Sequence, residues 1–188
     1  GYRFTEGPTW WNGRFLFCDM AASTMYTIDA GAAGARAEEF RKPSDKAVGA
    51  TIDREGRLVV CHFSGKVTRT DADGKVSTIA EKVDGKKLAR PNDLAVRSDG
   101  SIYFSDFGAG PDSSHGLFRI APDGKAQVLD AEYKAANGVV FSPDETTLYV
   151  ADYGARTVQA YAVGKDGALS GRRTFADFSK DKGDGNPD

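Results

Sequence analysis

The sequence lacks the features of a membrane protein and of a nucleic-acid-binding protein. No stretch approaches the roughly 20 consecutive apolar residues of a membrane-spanning helix. Its 25 Lys and Arg residues are balanced by 27 Asp and Glu residues, giving a formal net charge of −2. This balance leaves no basic excess for a phosphate backbone or an anionic membrane surface. We therefore expect a soluble protein with neither partner, and both the cytoplasm and the periplasm stay open as its compartment.

The chain is also poor in the residues of several catalytic classes. It has only two histidines and two cysteines, and it contains neither a Gly-x-Ser-x-Gly elbow nor a Gly-rich phosphate-binding loop. A Ser-His-Asp triad therefore has no supporting motif. Cys18 and Cys61 occupy the same place in two consecutive repeats of the chain. We expect two buried thiols, because equivalent positions in neighbouring repeats should lie too far apart for a disulfide.

Glycine is abundant, and it marks a series of β-hairpins. The 22 glycines include many Asp-Gly and Asn-Gly pairs between short apolar runs, and such pairs supply the positive φ of tight hairpin turns. The second strands of four successive hairpins end at Asp19, His62, Asp106 and Asp152, at spacings of 43, 44 and 46 residues. A period in the forties built from short strands is typical of propeller blades. These four strand-end side chains are expected to be structural, bonding backbone or hydroxyl groups where the repeats meet.

The repeats predict an all-β fold, a β-propeller of four-stranded antiparallel blades. We predict a single domain over residues 1–188, with blades at approximately 6–46, 47–90, 91–135 and 136–180. The polar tail after Asp177 is interpreted as the loop into a fifth repeat. Four blades and the start of a fifth leave a ring open, so we expect the domain to be incomplete at its C-terminus.

Polar residues stand at the entry to the first strand of most repeats. The five equivalent positions are Glu6, Val48, Asn92, Asn137 and Asp188. The first strand of a blade lines the central channel, so these positions should converge on the axis at one end. Carboxylate and amide oxygens suit hard cations such as Ca²⁺, Mg²⁺ or Mn²⁺, and carboxylates can also hold Zn²⁺. Taken singly, Asn and Asp before a strand are common turn formers, and that interpretation stays open for each of them.

Several segments occur in the order and spacing of a known family. They are Glu6-Gly7-Pro8-Thr9-Trp10, the Arg90-x-Asn92-Asp93 motif, Asn137–Asp144 with Leu148–Asp152, and Gly185–Asp188. The ordered set covers essentially the whole chain and resembles the SMP-30/gluconolactonase/luciferin-regenerating-enzyme (LRE)-like family, which is part of the calcium-dependent lactonase and phosphotriesterase-like propeller superfamily. Single hairpins of this kind occur in other propellers, whereas the ordered set is more specific.

The resemblance implies a six-bladed propeller with one divalent metal in its channel, Ca²⁺ foremost and Zn²⁺, Mg²⁺ or Mn²⁺ as alternatives. It implies Glu6, Asn137 and Asp188 as metal ligands, with Asp188 also acting as the general base. Asn92 matches a catalytic residue that contacts metal, water or substrate, and Arg90 matches a substrate-binding arginine. The chain departs from the family in its length, which is too short for six blades.

The function implied by this resemblance is the hydrolysis of a small-molecule sugar lactone, or a related ester, by metal-activated water. The alternative is a non-catalytic propeller scaffold that binds a partner or small ligand and keeps any metal for structural support. The sequence leaves the oligomeric state open.

Overall fold

The computed structural model describes residues 1–110, 113–183 and 185–188, and the regular elements in these ranges are all β-strands. Since these ranges contain no helix, none is long and apolar enough to cross a membrane. Four four-stranded antiparallel sheets follow one another along the chain, each with its strands in sequence order.

The first sheet consists of β1 (Thr5–Trp11), β2 (Arg14–Asp19), β3 (Thr24–Ile28) and β4 (Glu38–Arg41). The second consists of β5 (Ala47–Ile52), β6 (Leu58–His62), β7 (Lys66–Thr70) and β8 (Val76–Ala80). A short hairpin follows, formed by β9 (Lys82–Val83) and β10 (Lys86–Lys87). The third sheet consists of β11 (Pro91–Val96), β12 (Ile102–Asp106), β13 (Gly116–Ile120) and β14 (Ala126–Asp130). The fourth consists of β15 (Ala136–Phe141), β16 (Thr147–Asp152), β17 (Thr157–Val163) and β18 (Leu169–Asp177).

The turn between β11 and β12 shows why these segments form hairpins. Gly100 adopts a φ of 88°, a conformation that glycine reaches without steric cost. The turn is closed by bonds from Gly100 N to Arg97 O (2.9 Å) and from Arg97 N to Ser101 O (2.8 Å). The carboxylate of Asp99 accepts a hydrogen bond from Ser101 N (2.8 Å). The Asp-Gly pair therefore fixes both the bend and the register of the strands that it joins.

The sheets stack face to face around a common axis, as blades of a propeller do. Their first strands contact one another in chain order, β1 against β5, β5 against β11, and β11 against β15. Successive residues of β12 point in opposite directions, so Tyr103 packs towards the fourth sheet and Phe104 towards the second. Burial on both faces explains the uninterrupted apolar runs of these strands. The prediction of an all-β propeller with four-stranded antiparallel blades is confirmed.

The strand-end side chains fasten each blade to the segment that precedes it. The carboxylate of Asp106 accepts hydrogen bonds from Ala89 N and Arg90 N, both at 2.8 Å. Asp19 and Asp152 accept equivalent pairs of backbone N–H groups in their own blades. His62 replaces the carboxylate in the second sheet. The structural role that was predicted for these positions is therefore confirmed.

The pairing of the first strands differs from the prediction. Asn92 and Asn137 were expected just before a strand, yet β11 begins at Pro91 and β15 at Ala136, so both amides lie inside strands. Pro91 pairs with Asp106 and Ala136 with Asp152, and the register then shifts over the following two residues. The same irregularity occurs after Ala47 in β5 and after Glu6 in β1. These are β-bulges, which bend a strand locally and re-aim its side chains.

Two apolar sheet faces have no neighbouring sheet in the described part of the chain. On the first sheet, Phe17 stacks on Tyr26 with their ring centroids 5.4 Å apart, on the face opposite Leu16. On the fourth sheet, Val140 and Phe175 remain 59% and 56% exposed. These two surfaces are called here the open faces.

Candidate metal and active site

The innermost strands bring three of the predicted site residues to one cavity. The cavity has a volume of about 630 Å³, and its polar end is lined by Glu6, Asn92, Asp93 and Asp188. These residues come from β1, from β11 and from the C-terminal segment. Much of the apolar remainder of the cavity wall belongs to the fourth sheet, including Val140 and Phe175 of its open face, and Pro8 of β1 also contributes. The carboxylate and amide side chains of the cavity are therefore concentrated at one end, beside the bulged first strands.

The five entry positions, which are Glu6, Val48, Asn92, Asn137 and Asp188, are called here the lip residues. The glycine that follows three of them allows this convergence. A Cβ atom built on Gly7, Gly49 or Gly138 would lie closer than 3.0 Å to the backbone of the lip residue in the following repeat. The neighbours are Val48 for the first, Asn92 for the second and Asp188 for the third. Because real Cβ atoms do not come so close, a larger residue at these positions would force the neighbouring backbone segments apart.

Asn137 lies beside this cavity and is buried, with 7% of its surface exposed. Its amide oxygen, Oδ1, has no hydrogen-bond partner in the described part of the chain. A buried amide oxygen without a partner costs free energy, of the order of 1–3 kcal/mol. The adjoining Gly138 lines the cavity and packs against Asp188. The orphaned oxygen is therefore suited to receive a ligand that is not part of the chain.

Asp93 is the site residue that sequence reasoning missed. It occupies the position held by glycine in the other three repeats, and its carboxylate accepts a hydrogen bond from Val139 N (2.7 Å) in the next blade. Its own backbone N–H donates to Ser105 Oγ (3.0 Å). The signal was present in the sequence, since the repeats contain Gly7, Gly49, Asp93 and Gly138 after their lip residues. A carboxylate at a position where the other repeats have glycine indicates a role beyond allowing close packing.

The carboxylates of the site repel one another. Burial raises the pKa of Glu6, and the neighbouring carboxylate of Asp188 raises it further. Burial raises the pKa of Asp93 to about 6, and Asp188 adds to that rise although Val139 N–H opposes it. A low-dielectric setting and a like charge both disfavour the ionised form. No lysine or arginine is found among the described residues that line this cavity, so a bound cation would relieve the repulsion.

The donor set fits a hard divalent cation. All of the candidate ligand atoms are oxygens, from the carboxylates of Glu6, Asp93 and Asp188 and from the amide of Asn137. Within the ranges that the structure describes, no three His, Cys, Asp or Glu side chains are clustered closely enough to form a metal site by themselves. A site at this position would thus depend on amide oxygens as well as carboxylates, which is common for Ca²⁺.

Arg90 is not part of this cavity. It lines a neighbouring cavity of about 470 Å³, together with Phe107 and Lys134. Its guanidinium group lies 5.4 Å from the centroid of the Phe63 ring. The two cavities share no lining residue, although Arg90 and Asn92 are only two positions apart in the chain.

The cysteines do not contribute to the chemistry of the site. Both Cys18 and Cys61 are free and fully buried, as predicted. Burial raises the pKa of Cys18 to about 12, and the charge of Glu6 acts in the same direction. Burial also raises the pKa of Cys61 well above its usual value. Since the thiolate is the nucleophilic form, neither thiol is activated.

Proteins named as lactonases align with nearly the whole chain. It is 30% identical over 207 aligned residues to a gluconolactonase from Zymomonas mobilis subsp. mobilis, a match that covers 95% of this chain and 58% of that protein. It is 28% identical to pentonolactonase XacC from Haloferax volcanii, covering 96% of this chain and 61% of that protein. The chain therefore spans less than two thirds of the length of either relative.

A solved structure that is similar to this chain is also that of a gluconolactonase. A gluconolactonase from Xanthomonas campestris superposes with a TM-score of 0.82 at 32% identity, over 93% of this chain and 63% of that one. The family model described as SMP-30/gluconolactonase/LRE-like region matches residues 4–188. The chain belongs to the SMP-30/gluconolactonase/LRE-like family.

Proposed function

We propose that this chain supplies most of the active site of a divalent-metal-dependent lactonase that opens a sugar lactone. The observation that carries the proposal is the cavity that Glu6, Asn92, Asp93 and Asp188 share, with the unpartnered amide oxygen of Asn137 beside it. The names of the relatives, gluconolactonase and pentonolactonase, support the same substrate class. In this proposal the four blades belong to one propeller domain.

The proposed metal ligands are Glu6, Asn137 and Asp188, with Ca²⁺ as the first choice because the donors are all oxygens. Zn²⁺, Mg²⁺ and Mn²⁺ are the alternatives, since such sites follow metal availability as well as affinity. A divalent cation held there would supply Lewis acidity towards the lactone carbonyl. Asn92 lines the same cavity, and its amide is proposed to orient the substrate or the attacking water.

The reaction adds one water molecule to the lactone and yields an open-chain hydroxy acid. The water oxygen forms a bond to the carbonyl carbon, and the bond between that carbon and the ring oxygen breaks. Asp188 is proposed to accept a proton from the attacking water and to return it to the departing ring oxygen. Arg90 presents a fork of N–H donors that suits hydroxyl groups or a carboxylate of the substrate.

The proposal is tested with glucono-1,5-lactone in a proton-release assay, with and without a chelator and with each of the four metals added back. We expect the chelator to abolish turnover. Asn137→Ala should lower both metal affinity and kcat/KM by at least about 10- to 100-fold, because losing a proposed ligand should cost no less than losing a group that only orients one. Gln127→Ala is the matched control, because it truncates an exposed amide on the outermost strand of the third sheet.

The alternative function, a binding scaffold with a structural metal, predicts a different outcome. The chelator would then lower only the melting temperature, and no lactone would be turned over by well-folded protein. A folded Asn137→Ala variant that kept both its metal and its full activity would show that the site is wrongly assigned.

A further inference from the structure

Four apolar residues occupy equivalent positions in the four blades, each directly after the strand-end side chain of the second strand. They are Met20, Phe63, Phe107 and Tyr153. Each donates its backbone N–H, over 2.9–3.0 Å, to the carbonyl of the residue just before the first strand of its own blade. The acceptors are the carbonyls of Phe4, Lys46, Arg90 and Ala135. The four apolar residues are called here the collar.

Three members of the collar form a continuous aromatic row across the second, third and fourth blades. The ring centroids of Phe63 and Phe107 are 6.0 Å apart, and those of Phe107 and Tyr153 are 5.6 Å apart. The ring planes are inclined to each other by 48° and 55°, so the row curves from blade to blade. Tyr153 remains 41% exposed, and Phe107 lines the cavity described above beside Arg90. The row therefore presents ring surface that packing within the protein does not cover.

The collar lies at the same end of the blades as the lip residues. Phe107 is hydrogen-bonded to Arg90, two positions before Asn92, and Tyr153 is hydrogen-bonded to Ala135, two positions before Asn137. Two residues along a strand cover about 6.7 Å, and neighbouring strands lie about 4.8 Å apart. The backbone of each collar residue is therefore within about 10 Å of the lip residue in its own blade. This is the length of a disaccharide, so one small molecule can occupy both places.

The chemistry of the collar complements that of the candidate metal site. The metal site offers carboxylate and amide oxygens, whereas Phe107 and Tyr153 offer aromatic ring faces. A pyranose ring has apolar C–H faces and a rim of hydroxyl groups, so stacking on these rings removes apolar surface from water and leaves the hydroxyl groups solvated. The cavity that Phe107 lines has a volume of about 470 Å³, within the usual range for a small-molecule site. A ligand suited to both places combines a lactone ring with a further sugar ring.

We propose that the collar binds a second sugar ring, so that the preferred substrate is the lactone of a disaccharide aldonic acid. The lactone ring lies at the metal site, and the second ring stacks on Phe107 and Tyr153. The glycosidic bond between the two rings stays intact, because water opens only the lactone. Met20 and Phe63 support the row, since both pack against the core between the second and third sheets. This inference rests on the proposed lactonase function and narrows its substrate class.

The test compares cellobiono-1,5-lactone with glucono-1,5-lactone in the proton-release assay. We expect a higher kcat/KM for the disaccharide lactone, mostly through KM, because stacking far from the carbonyl acts equally in the ground state and the transition state. Tyr153→Ala should lower the ratio of the two kcat/KM values about three- to tenfold, the effect of losing one stacked ring. Tyr153→Phe should retain the ratio, since the ring face remains. Trp10→Ala is the matched control, because it removes a ring that is 58% exposed beside the turn between β1 and β2, at the opposite end of its blade from the collar.

A binding measurement separates this inference from the proposed function. Calorimetric titration with cellobionate and with gluconate, in the presence of chelator, requires no turnover. Tighter binding of cellobionate that Tyr153→Ala weakens and Trp10→Ala does not would support the collar as a sugar-binding site, even if neither lactone were hydrolysed. Cellobionate that binds no more tightly than gluconate, or a ratio of kcat/KM values that Tyr153→Ala leaves unchanged, would overturn the inference.

Discussion

Single residues in this chain are understood best by comparison with their counterparts in the other repeats. His62 stands where the other three blades have Asp19, Asp106 and Asp152. Each aspartate accepts backbone N–H groups, whereas His62 Nδ1 lies 3.0 Å from Ser44 O and its Nε2 lies 2.8 Å from Thr68 Oγ1. A neutral ring satisfies both, with Nδ1–H donating and Nε2 accepting. Protonation of Nε2 would remove that acceptor.

The stability of the protein is therefore expected to depend on the protonation of His62. Burial lowers the pKa of His62 below its usual value, and the charge of Lys66 acts in the same direction. The folded state thus binds this proton more weakly than the unfolded state, so the stability that His62 contributes is lost as the pH falls below its unfolded pKa of about 6.5. We expect the stability advantage of the wild type over His62→Gln to shrink between pH 7.5 and 5, measured by urea denaturation.

Gln127→Ala is the control for this experiment, because it truncates an exposed amide that does not titrate in this pH range. The stability difference between this variant and the wild type should stay the same across the pH range. A constant difference for His62→Gln as well would contradict the assignment of His62 as a buried neutral group.

At the scale of elements, the bulged first strand is the device that builds the site. The bulges of β5, β11 and β15 directly follow the residue that pairs with the strand-end side chain, and the bulge of β1 comes one residue later. They turn one side chain per blade towards the axis, and the residue that follows is glycine in three of the four blades. Asp93 is the exception, and its carboxylate bonds to the backbone of β15. Both the packing of the blades and the geometry of the site therefore require the first strands of neighbouring blades to approach closely.

The variant Gly49→Ala tests this condition. Its Cβ would lie closer than 3.0 Å to the backbone carbonyl of Asn92, so β11 must shift. We expect the free energy of unfolding to fall by about 1–3 kcal/mol, the usual cost of overpacking, and lactone turnover to fall with it. Urea denaturation and the proton-release assay measure the two effects.

Gly31→Ala serves as the control, since a Cβ there meets only the side chain of Asp29 at an ordinary contact distance of 3.4 Å. Its stability should stay close to that of the wild type. If Gly49→Ala were as stable and as active as the control, the close approach of the two strands would have no energetic importance.

At the scale of the whole molecule, the two open faces are expected to determine how the protein associates. Three cores lie between the four sheets, but the outer surfaces of the first and fourth sheets keep aromatic and aliphatic side chains exposed. Val140 is paired with Tyr149 across β15 and β16, and the ring of Phe175 contacts Tyr149 at 4.8 Å between centroids. Contiguous apolar surface of this kind favours association.

We expect the chain of 188 residues to bind a hydrophobic dye and to self-associate with increasing concentration. The double variant Val140→Ser/Phe175→Ser should lower dye fluorescence by roughly twofold and reduce self-association, because it interrupts this patch. Dye titration and analytical ultracentrifugation provide the measurements.

The matched control is Val76→Ser/Val128→Ser, which replaces two exposed valines that lie on the outermost strands of the second and third sheets. It should change neither measurement. An equal response from both double variants would mean that general surface hydrophobicity, and not the open face, drives the association.

The sequence by itself determined the fold class and the repeat-equivalent positions. Asp-Gly turns and short apolar runs are readable within one repeat, and the period in the forties follows from comparing the four repeats along the sequence. The same logic identified Glu6, Asn92 and Asp188, which share one cavity. It also predicted that Cys18 and Cys61 would be free and buried.

Only the tertiary structure decided how residues of different blades meet. The bulges that place Asn92 and Asn137 inside strands depend on pairing with a second strand, so a single segment does not reveal them. The pKa of Asp93 is raised by burial and by the carboxylate of Asp188, which is 95 positions later in the chain. Arg90 lies in a cavity of its own because its neighbours there, Phe107, His115 and Lys134, come from other segments. Contacts between distant segments have no local signature, and they set the electrostatics of the site.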